Sequence, residues 1–351
     1  MKNHLVGGVL IAASLGAHGT AQAGPAGPAL DRPALSATQA SRGVLLAAAR
    51  AGERLVAVGE RGIVIWSDDG GKQWRQATVP VSVTLTAVQF VDPGHGWAVG
   101  HGGVVLASHD GGQSWSRQLD GVRAARLLQQ DAQARNAPRA IREAERMIAE
   151  GADKPLLALH FYDRARGIVV GAYNMAFATT DGGQSWQPWS GRIDNPQGYH
   201  LYAIRAQGDT VLIAGEKGLV YKSTDQGAHF AAVQTPYQGS FFTAEILADG
   251  QFLLAGLRGN AWRSSDGGAN WAAVSGAAPL SFVASALRGP DEAVLANQAG
   301  QLYSFRHGAL QSLPGSTLAP PAGLLPLANG GLLALTLRGA IVLPPTTGAN
   351  Q

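Results

Sequence analysis

The sequence predicts an all-β protein, a seven-bladed β-propeller with a helical insertion between blades 2 and 3. Three observations carry this prediction. A turn motif, Ser/Thr-x-Asp-x-Gly-x-x-Trp/Phe, occurs five times, at 67–74, 108–115, 179–186, 223–230 and 264–271. A second motif, Gly-x-x-Gly, precedes four of the copies, and degenerate forms stand at 171–174, 297–300 and 336–339. Its fourth positions fall at 62, 103, 174, 218, 259, 300 and 339, in steps of 41, 71, 44, 41, 41 and 39. Short, alternating apolar runs separate the motifs, and four strands per unit of about 40 residues is the signature of a propeller blade.

Residues 1–23 have the layout of a secretory signal. Lys2 and His4 form a polar start, Leu5–Gly16 an apolar stretch too short to span a bilayer, and Ala21-Gln22-Ala23 a small-residue cleavage site. The mature chain is therefore expected to be exported, most simply to the periplasm. Residues 24–42, rich in Pro, Ala and Gly, read as a leader, and the propeller follows over 43–345 with a tail at 346–351. The last unit ends at Ile341-Val342-Leu343 without an evident fourth strand, and residues 33–42 are the candidate to supply it.

Blade 2 shows the unit: Leu85–Val91, Gly96–Gly100, Val104–Ser108 and Gln113–Leu119, joined by Asp, Gly and Pro turns. The step of 71 marks an insertion at 121–152 that lacks β alternation. It reads as two helices, 122–132 and 139–149. Pro138 suits the start of the second and Gly151 its end, and Ile141, Ala144 and Ile148 give it an apolar stripe.

Each position of the first motif has a physical reason. Asp69, Asp110, Asp181, Asp225 and Asp266 accept N–H groups of their own turns, as Asx-turns do. The Gly two residues later adopts positive φ without steric cost. Trp74, Trp115, Trp186, Phe230 and Trp271 bury large apolar surfaces between units. The motif resembles the Asp-box, or BNR, repeat of β-propellers. These aspartates are expected to be structural, because a catalytic pair needs two different environments and here one environment is built five times.

Composition closes off other chemistry. The sequence has no Cys, hence no disulfide framework, thiol nucleophile or zinc-thiolate site. A net charge of +3 gives no case for nucleic acid. The nine His are dispersed without metal-ligand spacing, and the Gly-x-x-Gly turns link strand to strand rather than strand to a phosphate-binding helix. No cofactor, metal or catalytic residue is expected. Glu60 and Glu216, in two Gly-Glu-[Arg/Lys]-Gly turns, are expected to pair with the basic residue that follows each.

The third position of the Gly-x-x-Gly turn is basic in four units: Arg61, Lys217, Arg258 and Arg338. Repeat symmetry places these on one rim. The connections between blades emerge on that face too, and they include the helical insertion and two aromatic segments, with Tyr199 and Tyr202 in one and Tyr237 and Phe241 in the other. A basic rim beside exposed aromatics describes a partner-binding surface.

With the signal and the frame best seen in Trp97–Trp115, the chain resembles the photosystem II stability/assembly factor-like proteins of the WD40/YVTN/BNR-like superfamily, over about residues 43–343. The resemblance implies a non-enzymatic scaffold, monomeric, that docks a membrane-protein partner through its propeller face. The alternative is a carbohydrate-active propeller, either a sialidase-like hydrolase or a glycan-binding protein. The sialidase Arg-Ile-Pro signature is absent, with Arg192-Ile193-Asp194 in its stead.

Overall fold

The computed structural model describes residues 28–313 and 317–345; the expected signal (1–23) and tail (346–351) lie outside them. The described strands form seven antiparallel sheets in chain order, one per expected unit, in the arrangement of a BNR-type propeller. Six sheets have four strands and the seventh has three. In blade 2 the strands are Leu85–Phe90, Gly96–Gly100, Val105–Ser108 and Ser116–Leu119, so the outermost begins three residues later than the sequence suggests and every other bound agrees within one.

The seven innermost strands are Leu45–Ala51, Leu85–Phe90, Leu156–Phe161, Leu201–Gln207, Phe241–Ile246, Phe282–Gly289 and Pro321–Pro326. Each packs against the next, and Pro321–Pro326 packs against Leu45–Ala51. Large apolar side chains fill the spaces between neighbouring sheets. Between blades 2 and 3, Trp97 stacks on Phe161 with centroids 3.8 Å apart, and Trp186 meets Phe161 edge-on. Between blades 7 and 1, Leu333 and Leu335 join Leu45 and Ile65 in one buried cluster. Each fully buried side chain of this size contributes about 1.5–3 kcal/mol relative to exposure.

The candidate closing strand is not formed: among the described residues the seventh sheet stops at Pro321–Pro326, Leu332–Thr336 and Gly339–Leu343. Residues 33–42 are engaged by blade 1 instead. Ala34 N–H donates to Val79 O (3.0 Å) and Ala37 N–H to Gln76 Oε1 (2.8 Å), while Gln76 Nε2 donates to Leu35 O (2.8 Å). The short turn Ala40–Arg42 reaches blade 7, against Gly339–Leu343. Gly339 is needed there, because at φ 107 a Cβ would lie 2.2 Å from Ser41 O.

The insertion is the expected hairpin, α1 (Gly121–Ala134) and α2 (Pro138–Glu150). Asp120 caps α1 by accepting from Arg123 N–H (3.0 Å), and Pro138 occupies the first turn of α2. Gly151 ends α2 at φ 84, its N–H on Met147 O. Ala124, Ala125 and Met147 turn inward and join the cluster between blades 2 and 3. The hairpin is thus anchored in the core.

The five Asp turns are built alike. In the first, Asp69 Oδ1 accepts Ser67 Oγ–H (2.8 Å), Lys72 N–H (3.0 Å) and Gln73 N–H (2.9 Å), while Gly71 N–H donates to Ser67 Oγ (2.9 Å). Asp110, Asp181, Asp225 and Asp266 each bond the preceding Ser or Thr and an N–H four residues on. These donors favour the carboxylate. The Ser185 hydroxyl and N–H hold Asp181 at about 2, and the Asn270 N–H and amide hold Asp266 at about 2. Trp115 and Trp186 are buried, whereas Trp74, Phe230 and Trp271 are half-buried.

Candidate functional site

In blades 1–5 the Gly-x-x-Gly turn is a single turn of 3-10 helix: Glu60–Gly62, His101–Gly103, Ala172–Asn174, Glu216–Gly218 and Leu257–Gly259. Each touches the innermost strand of the following blade. The start of α1 packs on His101–Gly103, where a Cβ on Gly103 would lie 2.8 Å from Gly121 Cα. Turns, strand starts, inter-blade connections and hairpin therefore share one face.

The third residue of each of these turns is left-handed: Arg61 (φ 53), Gly102 (φ 68), Tyr173 (φ 55), Lys217 (φ 52) and Arg258 (φ 58). Only Gly102 adopts this geometry freely. The blade 7 turn is tighter, and Arg338 N–H donates to Thr336 Oγ1 (3.0 Å). Arg61, Lys217, Arg258 and Arg338 are all exposed. Among the described residues none of the four side chains makes an ion pair. Lys217 Nζ lies 5.5 Å above the Tyr199 ring, a cation–π contact that leaves its charge available.

Glu60 and Glu216 do not pair with these cations. Glu60 Oε1 accepts from Val44 N–H (3.2 Å) and Glu216 Oε2 from His200 N–H (3.2 Å), so each carboxylate satisfies the backbone entering its blade.

The aromatics need one correction. Phe241 is fully buried and belongs to the core between blades 4 and 5, not to the surface. The cause is a β-bulge: pairing along this innermost strand shifts between Phe241 and Thr243, which turns Phe242 to the opposite side. The same shift recurs at Leu46, Thr86, Leu157, Tyr202, Val283 and Ala322, all partly exposed. Tyr202 and Phe242 meet edge-on at 5.4 Å. His200 lies 6.0 Å from Tyr202 and 4.8 Å from Tyr173, giving an aromatic row across blades 3 to 5. Tyr237 is half-buried, and its hydroxyl donates to Leu257 O (2.8 Å), tying its segment to the Arg258 turn.

Sequence reasoning missed Tyr173 and His200. The signal for Tyr173 was its register, the position that Arg61, Lys217 and Arg258 occupy in other blades. Its N–H donates to His200 Nδ1 (3.0 Å), which assigns the ring proton of neutral His200 to Nε2. Further along the blade 3 innermost strand, His160 is held neutral: burial and then the Arg205 charge push it to about 4.

The family described as photosynthesis system II assembly factor YCF48 matches residues 71–133 and 137–308, more than half of the chain. The chain belongs to this family. A 74-residue stretch is 34% identical to photosystem II assembly lipoprotein Ycf48 of Synechococcus sp. (strain CC9902), covering 21% of this chain and 22% of that protein. The match thus spans about a fifth of the curated relative's length. Among solved structures, YCF48 bound to a D1 peptide superposes with a TM-score of 0.65 at 18% identity, covering 87% of this chain and 94% of that one. YCF48 from Cyanidioschyzon merolae gives 0.64 at 13% identity over 87% and 96%. At these identities the likeness is one of fold.

Proposed function

We propose that this chain is an exported, periplasmic, non-enzymatic scaffold whose rim of turns docks an acidic segment of a membrane-protein partner. The observation that carries the reading is the set Arg61, Lys217, Arg258 and Arg338, exposed and without ion pairs among the described residues. Three of the four are held in a left-handed conformation that a glycine would adopt without strain. Tyr199, Tyr202 and Tyr237, with Phe242 in the place expected for Phe241, supply aromatic surface between them. The D1 peptide on one structural relative motivates a peptide-like ligand. The lipoprotein character of the curated relative, with the signal read at 1–23, supports the location. The contact of the last innermost strand with the first supports a closed ring, in which these turns form one continuous rim.

The test begins with cross-linking and capture of the tagged protein from a membrane extract, followed by association kinetics with the captured partner. Rim charges act mainly on association and its salt dependence, and buried aromatic anchors on dissociation. Arg258→Glu with Arg338→Glu should slow association about tenfold and flatten its salt dependence, with the fold intact. Tyr237→Ala should speed dissociation. A partner that binds the doubly reversed protein as fast as the wild type overturns the reading.

A further inference from the structure

In blades 1–6 a fourth strand covers the third, whereas in blade 7, among the described residues, Gly339–Leu343 is the edge of the sheet. The covering strand has one fixed feature. Ala77 N–H donates to Val64 O (2.9 Å), Trp189 to Ala176 O (2.7 Å), Val233 to Val220 O (2.9 Å), Val274 to Ala261 O (2.8 Å) and Leu313 to Leu302 O (2.9 Å). In blade 2, Leu119 pairs with Val105 at the same register. All six residues are apolar, and they close the space towards the next blade. Ala77 clusters with Trp115, Leu119 with Trp186 and Val233 with Trp271, while Trp189 meets Phe230 edge-on at 6.2 Å. Each Asp-turn aromatic of blades 2–5 is thus covered from the blade before it.

Trp74 of blade 1 would take the same cover from blade 7. Ala340 pairs with Leu335 as Val64 pairs with Val58, so Ala340 O is the carbonyl at the matching register. It accepts no hydrogen bond among the described residues. Trp74 and Ala340 flank the edge on one side and Leu313, Ile341 and Leu343 on the other, all half-buried. Val342 is 42% exposed. An uncharged edge of this kind is a template for another strand.

Three observations select the occupant. Blades 6 and 1 carry outer strands, Ala309–Ser312 and Arg75–Gln76, about 4.8 Å beyond the level of a third strand. The edge therefore lies in a notch that admits one extended chain and keeps out the equally recessed edge of a second copy. The chain's own continuation leaves on the inner side, where a Cβ on Gly330 would lie 3.7 Å from Pro345 Cβ. Pro344-Pro345 cannot adopt the positive φ with which His307 (φ 51) and Gly308 (φ 79) turn blade 6 back on itself. Arg338 of the rim immediately precedes Gly339, so a segment in the notch runs onto the docking face.

We propose that the notch binds an extended segment of the membrane-protein partner, which adds the fourth strand of blade 7 and seats an uncharged apolar side chain on Trp74. The inference rests on the docking reading above and gives it an anchor.

The probe is acetyl-Ala-Ala-Val-Gln-Thr-amide, the sequence of residues 231–235 in the outer segment of blade 4. The control carries N-methylvaline, which has no donor for Ala340 O. The readouts are the indole N–H NMR signal of Trp74, assigned through Trp74→Phe, and hydrogen exchange of the Val342 amide. The parent peptide should shift Trp74 saturably, with a Kd on the order of 1 mM, and slow Val342 exchange. The methylated peptide should do neither. Val342→Lys places a charge on the edge and should weaken peptide binding about fivefold or more, with the thermal midpoint unchanged, and should speed dissociation of the captured partner. Val342→Thr should bind as wild type does.

The inference is overturned if about 10 mM parent peptide leaves both signals unchanged, if the methylated peptide binds equally well, or if the partner leaves Val342→Lys at the wild-type rate. It is overturned too if Val342 is protected without peptide. Protection lost on deleting residues 346–351 would put the tail in the notch, and protection that grows with protein concentration would put a second copy there. Slow association of the Arg258/Arg338 double reversal with wild-type dissociation from Val342→Lys would sink the notch and leave the rim reading standing. Fast dissociation from Val342→Lys with association indifferent to rim reversal would do the opposite.

Discussion

At one end of the third strand in each of blades 1–5 stands a Ser/Thr-Asp turn, and at the other a turn whose third residue is left-handed. Both repeat five times on the same scaffold, yet their side chains behave in opposite ways. Around Asp110 the carboxylate takes the Ser108 hydroxyl and the N–H groups of Gln113 and Ser114, and its other oxygen takes the Ser114 hydroxyl. The side chain's bonding capacity is met inside the turn. At the other end, the guanidinium of Arg258 has no carboxylate partner among the described residues and is held on a strained backbone. Repetition alone therefore does not mark function. A repeated group satisfied within its own turn has no bonding capacity left over, whereas a repeated charge without an ion pair on a left-handed backbone is where the proposed docking would fall.

The Asp end should break the fold when altered. Trp115 is buried, meets Phe90 edge-on at 5.9 Å and donates its indole N–H to Gly112 O (3.1 Å). Trp115→Ala should cost about 3–5 kcal/mol in urea unfolding. A loss below about 1 kcal/mol would mean that the aromatic does not lock neighbouring blades.

Acid should unfold the protein in two windows. His160 is depressed from 6.5 to about 4, so its contribution is fully present above about 6.5 and is lost as pH falls through about 4. Replacing it with Gln should flatten that limb, worth up to about 3 kcal/mol. Asp181, lowered from 3.8 to about 2, contributes stability present above 3.8 and lost as pH falls through about 2. Equilibrium unfolding at stepped pH resolves the two, and a His160→Gln protein with an unchanged upper limb would refute the first assignment.

What the sequence made legible follows the range of the interactions. The five Asp turns, the seven units and the hairpin all rest on local spacing, and the hairpin's observed ends lie within two residues of those read from Pro138, Gly151 and the apolar stripe. The register around Phe241 was not legible, because a bulge is set by pairing with the neighbouring strand and flips every side chain beyond it. Nor were the partners of Glu60 and Glu216 legible, since a following cation is a nearer candidate in sequence than a backbone N–H sixteen residues away. Nor was the contact of α2 with residues 190–198 legible, where Arg139 Nη2 donates to Pro196 O (2.5 Å), because no local pattern connects those two stretches.

Asp110→Ala sits between the extremes. It should lose about 1–2 kcal/mol through unsatisfied turn donors, and partner binding should change only as far as folding does. Intact stability with lost binding would move Asp110 from scaffold to site.

The smallest expected effect divides the two ends of the strand most sharply. Arg258 sits at φ 58, where a non-glycine residue costs about 1–2 kcal/mol, while glycine adds about 0.5–1 kcal/mol of unfolded-chain entropy. Arg258→Gly should thus be neutral or stabilising by about 0.5 kcal/mol, and Lys217→Gly should follow it less the loss of its contact with Tyr199. No Asp-turn substitution can have that sign, because each removes bonds that the turn itself uses. If the arginine serves a partner, the same change that raises the unfolding midpoint should slow association. Paired urea unfolding and binding kinetics on one Arg258→Gly preparation decide the matter: stability lost by more than about 1 kcal/mol would show that the side chain supports the fold, and the contrast between the two turns would collapse.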